Sequence, residues 1–191
     1  MININIHSNE QKIPSFLELR RIEFLKALGL DNKRILELNL DCIPVCTGLE
    51  EYDAVLIYST FSIAPRANLI DILTSFKSCI RERLIVVEDL PVNLFTAKIL
   101  EIREILFPSY TAEIRRLINQ LKQIGFKKVE RKIWRSQIPL SEDEVAREIR
   151  ILNRIALERK IDLSEELQKL MTLYRASNPV FKVFAIHSFL I

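Results

Sequence analysis

The run Arg34-Ile-Leu-Glu-Leu-Asn-Leu40, followed by Asp41-Cys-Ile-Pro44 and then by Tyr52-Asp-Ala-Val-Leu-Ile-Tyr58, decides the fold. The first segment alternates apolar and polar residues, the period of a strand with one wet face, and stops at an acidic residue. A loop carrying Pro44 and Gly48 leads to Ala54–Tyr58, which is apolar throughout. A continuous apolar run of that length suits a strand covered on both faces, as parallel sheets require. In open α/β sheets, ligands bind outside the carboxyl ends of such strands. Asp41 and Cys42 follow the first strand, and Ser59, Thr60 and Phe61 follow the second.

The same alternation of elements continues in both directions. Ile2, Ile4 and Ile6 interleave with Asn3, Asn5 and His7, so the opening residues predict a strand. Pro14-Ser15 starts a helix with a Ser15/Glu18 capping box, the stripe Leu19, Ile22, Leu25, Leu28, and Gly29 as its stop. Downstream, Pro65 opens a helix with the stripe Leu69, Ile72, Leu73, Phe76, Ile80. Leu84–Val87 is a second buried-type strand, ending in Glu88-Asp89-Leu90-Pro91. Phe95, Ile99, Ile102 and Leu106 mark a helix stopped by Pro108, and Ile114 to Ile124 a further one ended by Gly125. Lys127–Arg135 is a polar strand, and Val180–Ile191 a terminal apolar one. Between them lie two helices, one opened by the Ser141/Glu144 capping box and one by Asp162 with Glu165. The pattern predicts an α/β three-layer sandwich with a mainly parallel sheet, one domain over 1–191, and a helical insertion or cap over 141–176.

Composition removes several function classes. The chain has 191 residues and a formal charge of +3, with 28 basic against 25 acidic side chains. So small an excess does not by itself call for a nucleic-acid or membrane partner. The cations around Trp134 (Lys127, Lys128, Arg131, Lys132, Arg135) read first as a solvated face, which makes nucleic acid an unfavoured partner. No apolar run reaches the ~20 residues of a membrane span, and the first residues lack the basic and apolar regions of a secretory signal. Cys42, Cys46 and Cys79 are then expected to be reduced thiols of a cytoplasmic protein, with no metal site. Only Gly29, Gly48 and Gly125 occur, so neither G-x-G-x-x-G nor a P-loop can be drawn.

The middle of the chain resembles the class I S-adenosylmethionine-dependent methyltransferases, a Rossmann-like family. Asp41 to Pro44 with Tyr52-Asp53 and its apolar strand is similar to the family's third and fourth strand region. Ala64 to Leu69 resembles the helix start that follows, Leu84–Glu88 the fifth strand, and Thr111–Phe126 the helix closing in Gly-Phe. The terminal strand is similar to the family's antiparallel last strand, which slots between the fifth and sixth. The likeness spans roughly residues 34–135 and 180–191, and it implies S-adenosylmethionine as cofactor and a methyl acceptor as partner.

This sequence departs from the family at the Gly-rich first motif, which is degenerate or lost. Either the opening strand fills the central slot, with His7-Ser8-Asn9-Glu10 in place of the glycine loop, or the chain is truncated at its start. Asp41 corresponds either to the acidic residue at the ribose hydroxyls or to the one near the adenine amine. The resemblance thus implies a cofactor set of Asp41, Cys42, Asn5, His7, Ser8, Ser59, Thr60 and Phe61, with Glu88 and Asp89 at a neighbouring strand end. Each has a plainer reading: His7 as a solvated or capping residue, Asp41 and Asp89 as turn formers, Ser59–Phe61 as a strand-to-helix link. Two functions stand: a methyltransferase-like enzyme, or a non-catalytic scaffold of that fold acting in homodimerisation or partner binding. Surface bared by a missing element would favour the second.

Overall fold

The structure, a computed structural model, describes residues 16–38, 51–58, 73–74 and 77–191. Its elements are α1 (Phe16–Ala27), β1 (Ile35–Leu38), β2 (Tyr52–Tyr58), β3 (Ile80–Asp89), α2 (Leu94–Leu106), α3 (Tyr110–Gln123), β4 (Lys127–Pro139), α4 (Glu142–Arg159), α5 (Ser164–Ser177) and β5 (Phe181–Leu190). The strands form one sheet in the order β1-β2-β3-β5-β4. β1, β2 and β3 are parallel, while β5 pairs antiparallel with both β3 and β4. The last strand of the chain therefore lies between β3 and the edge strand β4.

Strand alternation builds two apolar layers. Val55, Ile57, Leu84, Val86 and Phe189 face α3 through Leu117, Leu121 and Phe126. Ala54, Leu56, Ile85, Val87 and Ile186 face α1 through Phe24 and Leu25. The result is the expected Rossmann-like three-layer sandwich. A third cluster joins α2, α4 and α5 through Phe95, Ile102, Leu152, Leu170 and Tyr174, so the helical insertion packs on α2.

Several boundaries obey their signals. Asn93 and Thr96 form a capping box at the start of α2, and Ser141 and Glu144 form the expected one at α4. Gly125 has φ +96 after α3, and a Cβ there would stand 2.7 Å from Lys77 Nζ, which itself donates to Ile124 O. The positive φ is what calls for glycine, since the flexible end of the lysine can shift aside.

Four expectations are corrected. Ile80 opens β3 rather than closing a helix stripe. The inward face of α1 is only partly the expected one: Leu25 and Leu28 pack inward, but Leu19 and Ile22 are exposed, and Arg20 and Phe24 are buried in their place. Phe24 fits edge-on against Trp134 and Phe184, with ring centroids at 4.9 and 5.5 Å, which sets the helix rotation. Cys79 is disulfide-bonded, against the reading of three reduced thiols. The slot beside β2, expected for the opening strand, is filled by β1 in direct parallel register. The opening strand itself, and the helix from Pro65 up to Ile72, lie outside the described residues.

Candidate functional site

The parallel strands β1, β2 and β3 end side by side at Leu38, Tyr58 and Asp89. This carboxyl edge is the frame on which the resemblance hangs its cofactor set. Asp41, Cys42, Asn5, His7, Ser8, Ser59, Thr60 and Phe61 all lie outside the described residues. Glu88 and Asp89 are described, and the fold gathers further polar side chains around them.

On the α1 face, Tyr58 donates its hydroxyl to Glu37 Oε2 at 3.0 Å, and Arg21 Nε donates to the other oxygen of Glu37 at 2.6 Å. Burial of Tyr58, with the Glu37 carboxylate beside it, pushes its phenol well above the ordinary value and holds it as a donor. Asp89 lies close enough to add to that effect.

Asp89 anchors a buried network. Arg103, 5% exposed, donates from Nη1 to Asp89 Oδ2 at 2.8 Å and from Nη2 to Glu148 Oε1 at 2.8 Å. Lys182 Nζ reaches Asp89 Oδ1 at 3.5 Å, and Tyr110 presents its hydroxyl to Arg103 at 3.4 Å. One guanidinium fork thus ties the end of β3 to α2 and α4. Burial alone would raise Asp89, but Lys182 and Arg103 outweigh it and lower the carboxyl to about 2. Burial would likewise raise Glu148, and Arg103 with Lys182 turns it downward. Both acids are therefore ionised partners of a structural cation.

On the opposite face, His187 Nε2 lies 3.0 Å from Glu88 Oε2. A carboxylate only accepts, so Nε2 is the donor in this contact. The Nδ1 of His187 is buried and has no hydrogen-bond partner among the described residues.

Glu37, Tyr58, Arg103, Glu148, Lys182 and His187 escape a reading based on strand ends alone. A signal for three of them was present. Arg103 and Glu148 interrupt apolar stripes (Ile99, Ile102, Leu106; Val145, Leu152) at inward positions, and His187 sits within an apolar strand. A charge on an inward face needs a partner, which predicts a buried pair.

Elsewhere, an open groove of about 490 Å³ runs between α2 and α5, lined by Lys98, Glu165, Gln168, Lys169, Thr172 and Leu173. Its cations are spent on Glu101, Glu165 and Glu166. Among the described residues no group of three His, Cys, Asp or Glu side chains could hold a metal ion, and no helix is long and apolar enough to cross a membrane.

No family model matches the sequence, and no curated protein matches it. Solved structures align with part of the chain at low identity. One is a cyclopropane-fatty-acyl-phospholipid synthase-like protein from Lactobacillus casei ATCC 334, with 16% identity and TM-score 0.45 over 75% of this chain and 57% of that one. Another is a cyclopropane synthase from Mycobacterium tuberculosis, with 13% identity and TM-score 0.33 over 73% of this chain and 56% of that one. A third is an SAM-dependent methyltransferase from Thiobacillus denitrificans in complex with S-adenosyl-L-homocysteine, at 12% identity, TM-score 0.34, covering 88% of this chain and 69% of that one. The chain thus spans 57% and 56% of the first two proteins' lengths. These are likenesses of fold.

Proposed function

We propose that this chain is a methyltransferase-like protein that binds S-adenosylmethionine at the carboxyl edge of β1 and β2 and passes its methyl group to an acceptor. The observation that carries the reading is the sheet order, three parallel strands followed by an antiparallel last strand inserted before the edge strand. That topology, with the sequence resemblance around Asp41 and Tyr52-Asp53, points to a ligand at the strand ends. When bound, the cofactor supplies an electrophilic methyl sulfonium, so the protein's work is chiefly to align the acceptor and exclude water.

Among the described residues, the edge carboxylates already have partners. Glu37 serves Arg21 and Tyr58, Glu88 serves His187, and Asp89 serves Arg103 and Lys182. The resemblance assigns the ribose or adenine contact to Asp41 and implies Cys42, Asn5, His7, Ser8, Ser59, Thr60 and Phe61 as the rest of the cofactor set. The same observation favours a second reading, a non-catalytic scaffold of this fold that binds partners or dimerises, since an edge whose described acids are all satisfied can persist without a ligand.

Calorimetry with S-adenosylmethionine and S-adenosylhomocysteine separates the two. Saturable binding, weakened at least about tenfold by Asp41→Ala, is the expected result; about 1.4 kcal/mol is enough for that change. A folded protein that shows no heat of binding at about millimolar cofactor refutes the enzyme reading and leaves the scaffold.

A further inference from the structure

We propose that the outer edge of β4 accepts an acidic, extended polypeptide segment as an added strand. β4 closes the sheet on one side, and no strand lies beyond it among the described residues. Its inner side is taken by β5, which leaves an outer row of backbone donors and acceptors, the template for strand addition. Every residue from Lys127 to Ile133 is exposed. A register shift between Lys128 and Glu130 interrupts this row, so the regular part is Glu130–Ile133, roughly 13 Å, with Lys127 and Lys128 beyond the bulge.

Charge selects the occupant. β4 carries Lys127, Lys128, Arg131, Lys132 and Arg135 against the single acid Glu130, which pairs with Lys132 at 3.0 Å. Lys127, Lys128 and Arg131 form no ion pair among the described residues. A second copy of β4 laid antiparallel against the first would set these cations against each other, so charge opposes self-pairing. An acidic strand would meet them with opposite charge.

Apolar contact argues for polypeptide rather than nucleic acid. Val129 and Ile133 stand out among the cations at 59% and 56% exposure, suited to apolar side chains of an added strand. The one indole that could stack on a base is occupied: Trp134 lies flat on Phe184 at 5.6 Å and takes the edge of Phe24. A base-stacking platform is what single-stranded nucleic-acid sites use, and this edge lacks a free one.

The test is fluorescence anisotropy on the full chain with a labelled peptide of alternating Glu and Val, about eight residues long. Saturable binding is expected, weakening roughly tenfold between about 50 and about 300 mM salt. Lys127→Glu combined with Arg131→Glu, both at exposed positions, should weaken it at least about tenfold while the circular dichroism spectrum stays unchanged. Two peptides of the same charge, N-methylated along one edge and along the other, distinguish strand addition from loose ion pairing, and one of them must lose binding. Three results overturn the proposal: no binding at about millimolar peptide, equal binding of both N-methylated peptides, or preferential binding of an oligouridylate of the same length.

Discussion

Replacing Arg103 by Met would remove the charge from the centre of the buried network while keeping the length of the side chain. Two carboxylates, Asp89 and Glu148, then lose a partner at 2.8 Å each. Removing one member of a buried ion pair typically costs about 3–5 kcal/mol, because the other is left charged and desolvated. The lowering of Asp89 from 3.8 to about 2 corresponds to about 2 kcal/mol of that, shared between Lys182 and Arg103. Glu148 adds a contribution of the same sign. With a urea slope of about 2 kcal/mol per molar, the unfolding midpoint should fall by roughly 2 M at neutral pH.

The pH profile gives the sharper test. In the native chain the depressed Asp89 contributes stability above its ordinary value, and that contribution is lost as pH falls from about 4 to about 2. In Arg103→Met, burial acts with only Lys182 opposing it, so both acids titrate higher than before. Acidification then neutralises them earlier than in the native chain, so the variant loses less stability on acidification than the native chain does. Urea melts followed by circular dichroism from neutral to acid pH measure both effects. A loss under about 1 kcal/mol, or an acid slope equal to that of the native chain, would show that Arg103 holds nothing together.

Arg20→Ala should cost about 2–4 kcal/mol, measured by urea melts, because this buried arginine donates to Pro139 O at 2.6 Å and Ile138 O at 3.3 Å and pairs with Glu144. Ser141→Ala should cost about 1 kcal/mol in the same assay by opening the α4 capping box, in which Ser141 Oγ accepts from Glu144 N at 3.3 Å. Tyr58→Phe bears on alkaline pH: the raised phenol contributes stability that is complete below its ordinary value near 10 and lost as pH climbs beyond it. The native chain should therefore weaken above about pH 10, and the Phe variant should lose that dependence in thermal melts.

Much of the frame is legible because local signals and burial agree. The apolar runs of β2 and β3 show as strands because both faces of each are covered, and the terminal strand shows because it is inserted rather than added at an edge. The face of α1 was only partly legible. Its inward side carries Arg20 and Phe24 beside the expected Leu25 and Leu28, while Leu19 and Ile22 are exposed, so hydrophobic periodicity found only the second half of the stripe. What turns the helix is a set of partners distant in sequence: Glu144, Trp134 and Phe184. The same holds for the strand-end acids Glu88 and Asp89, whose partners arrive from β5 and α2.

This division bears on what the carboxyl edge can be. A ligand site built by a fold of this kind keeps some acids free of internal partners, because a carboxylate committed to a buried guanidinium cannot also accept from a ribose hydroxyl without giving up a charge-assisted bond. Asp89 is committed in that way, while Glu37 accepts from the exposed Arg21 and from the Tyr58 hydroxyl and Glu88 pairs with the His187 imidazole. On the proposed function, a cofactor would then be met by residues that follow the strands in sequence, and of these Asp41 is the acid after β1. Binding that depends on Asp41 and is indifferent to Glu88→Gln would therefore place recognition in those following residues and leave the strand-end pairs as its scaffold. Equal losses from both substitutions would mean that the His187–Glu88 pair opens to the ligand, giving the unpartnered Nδ1 of His187 a role in its recognition.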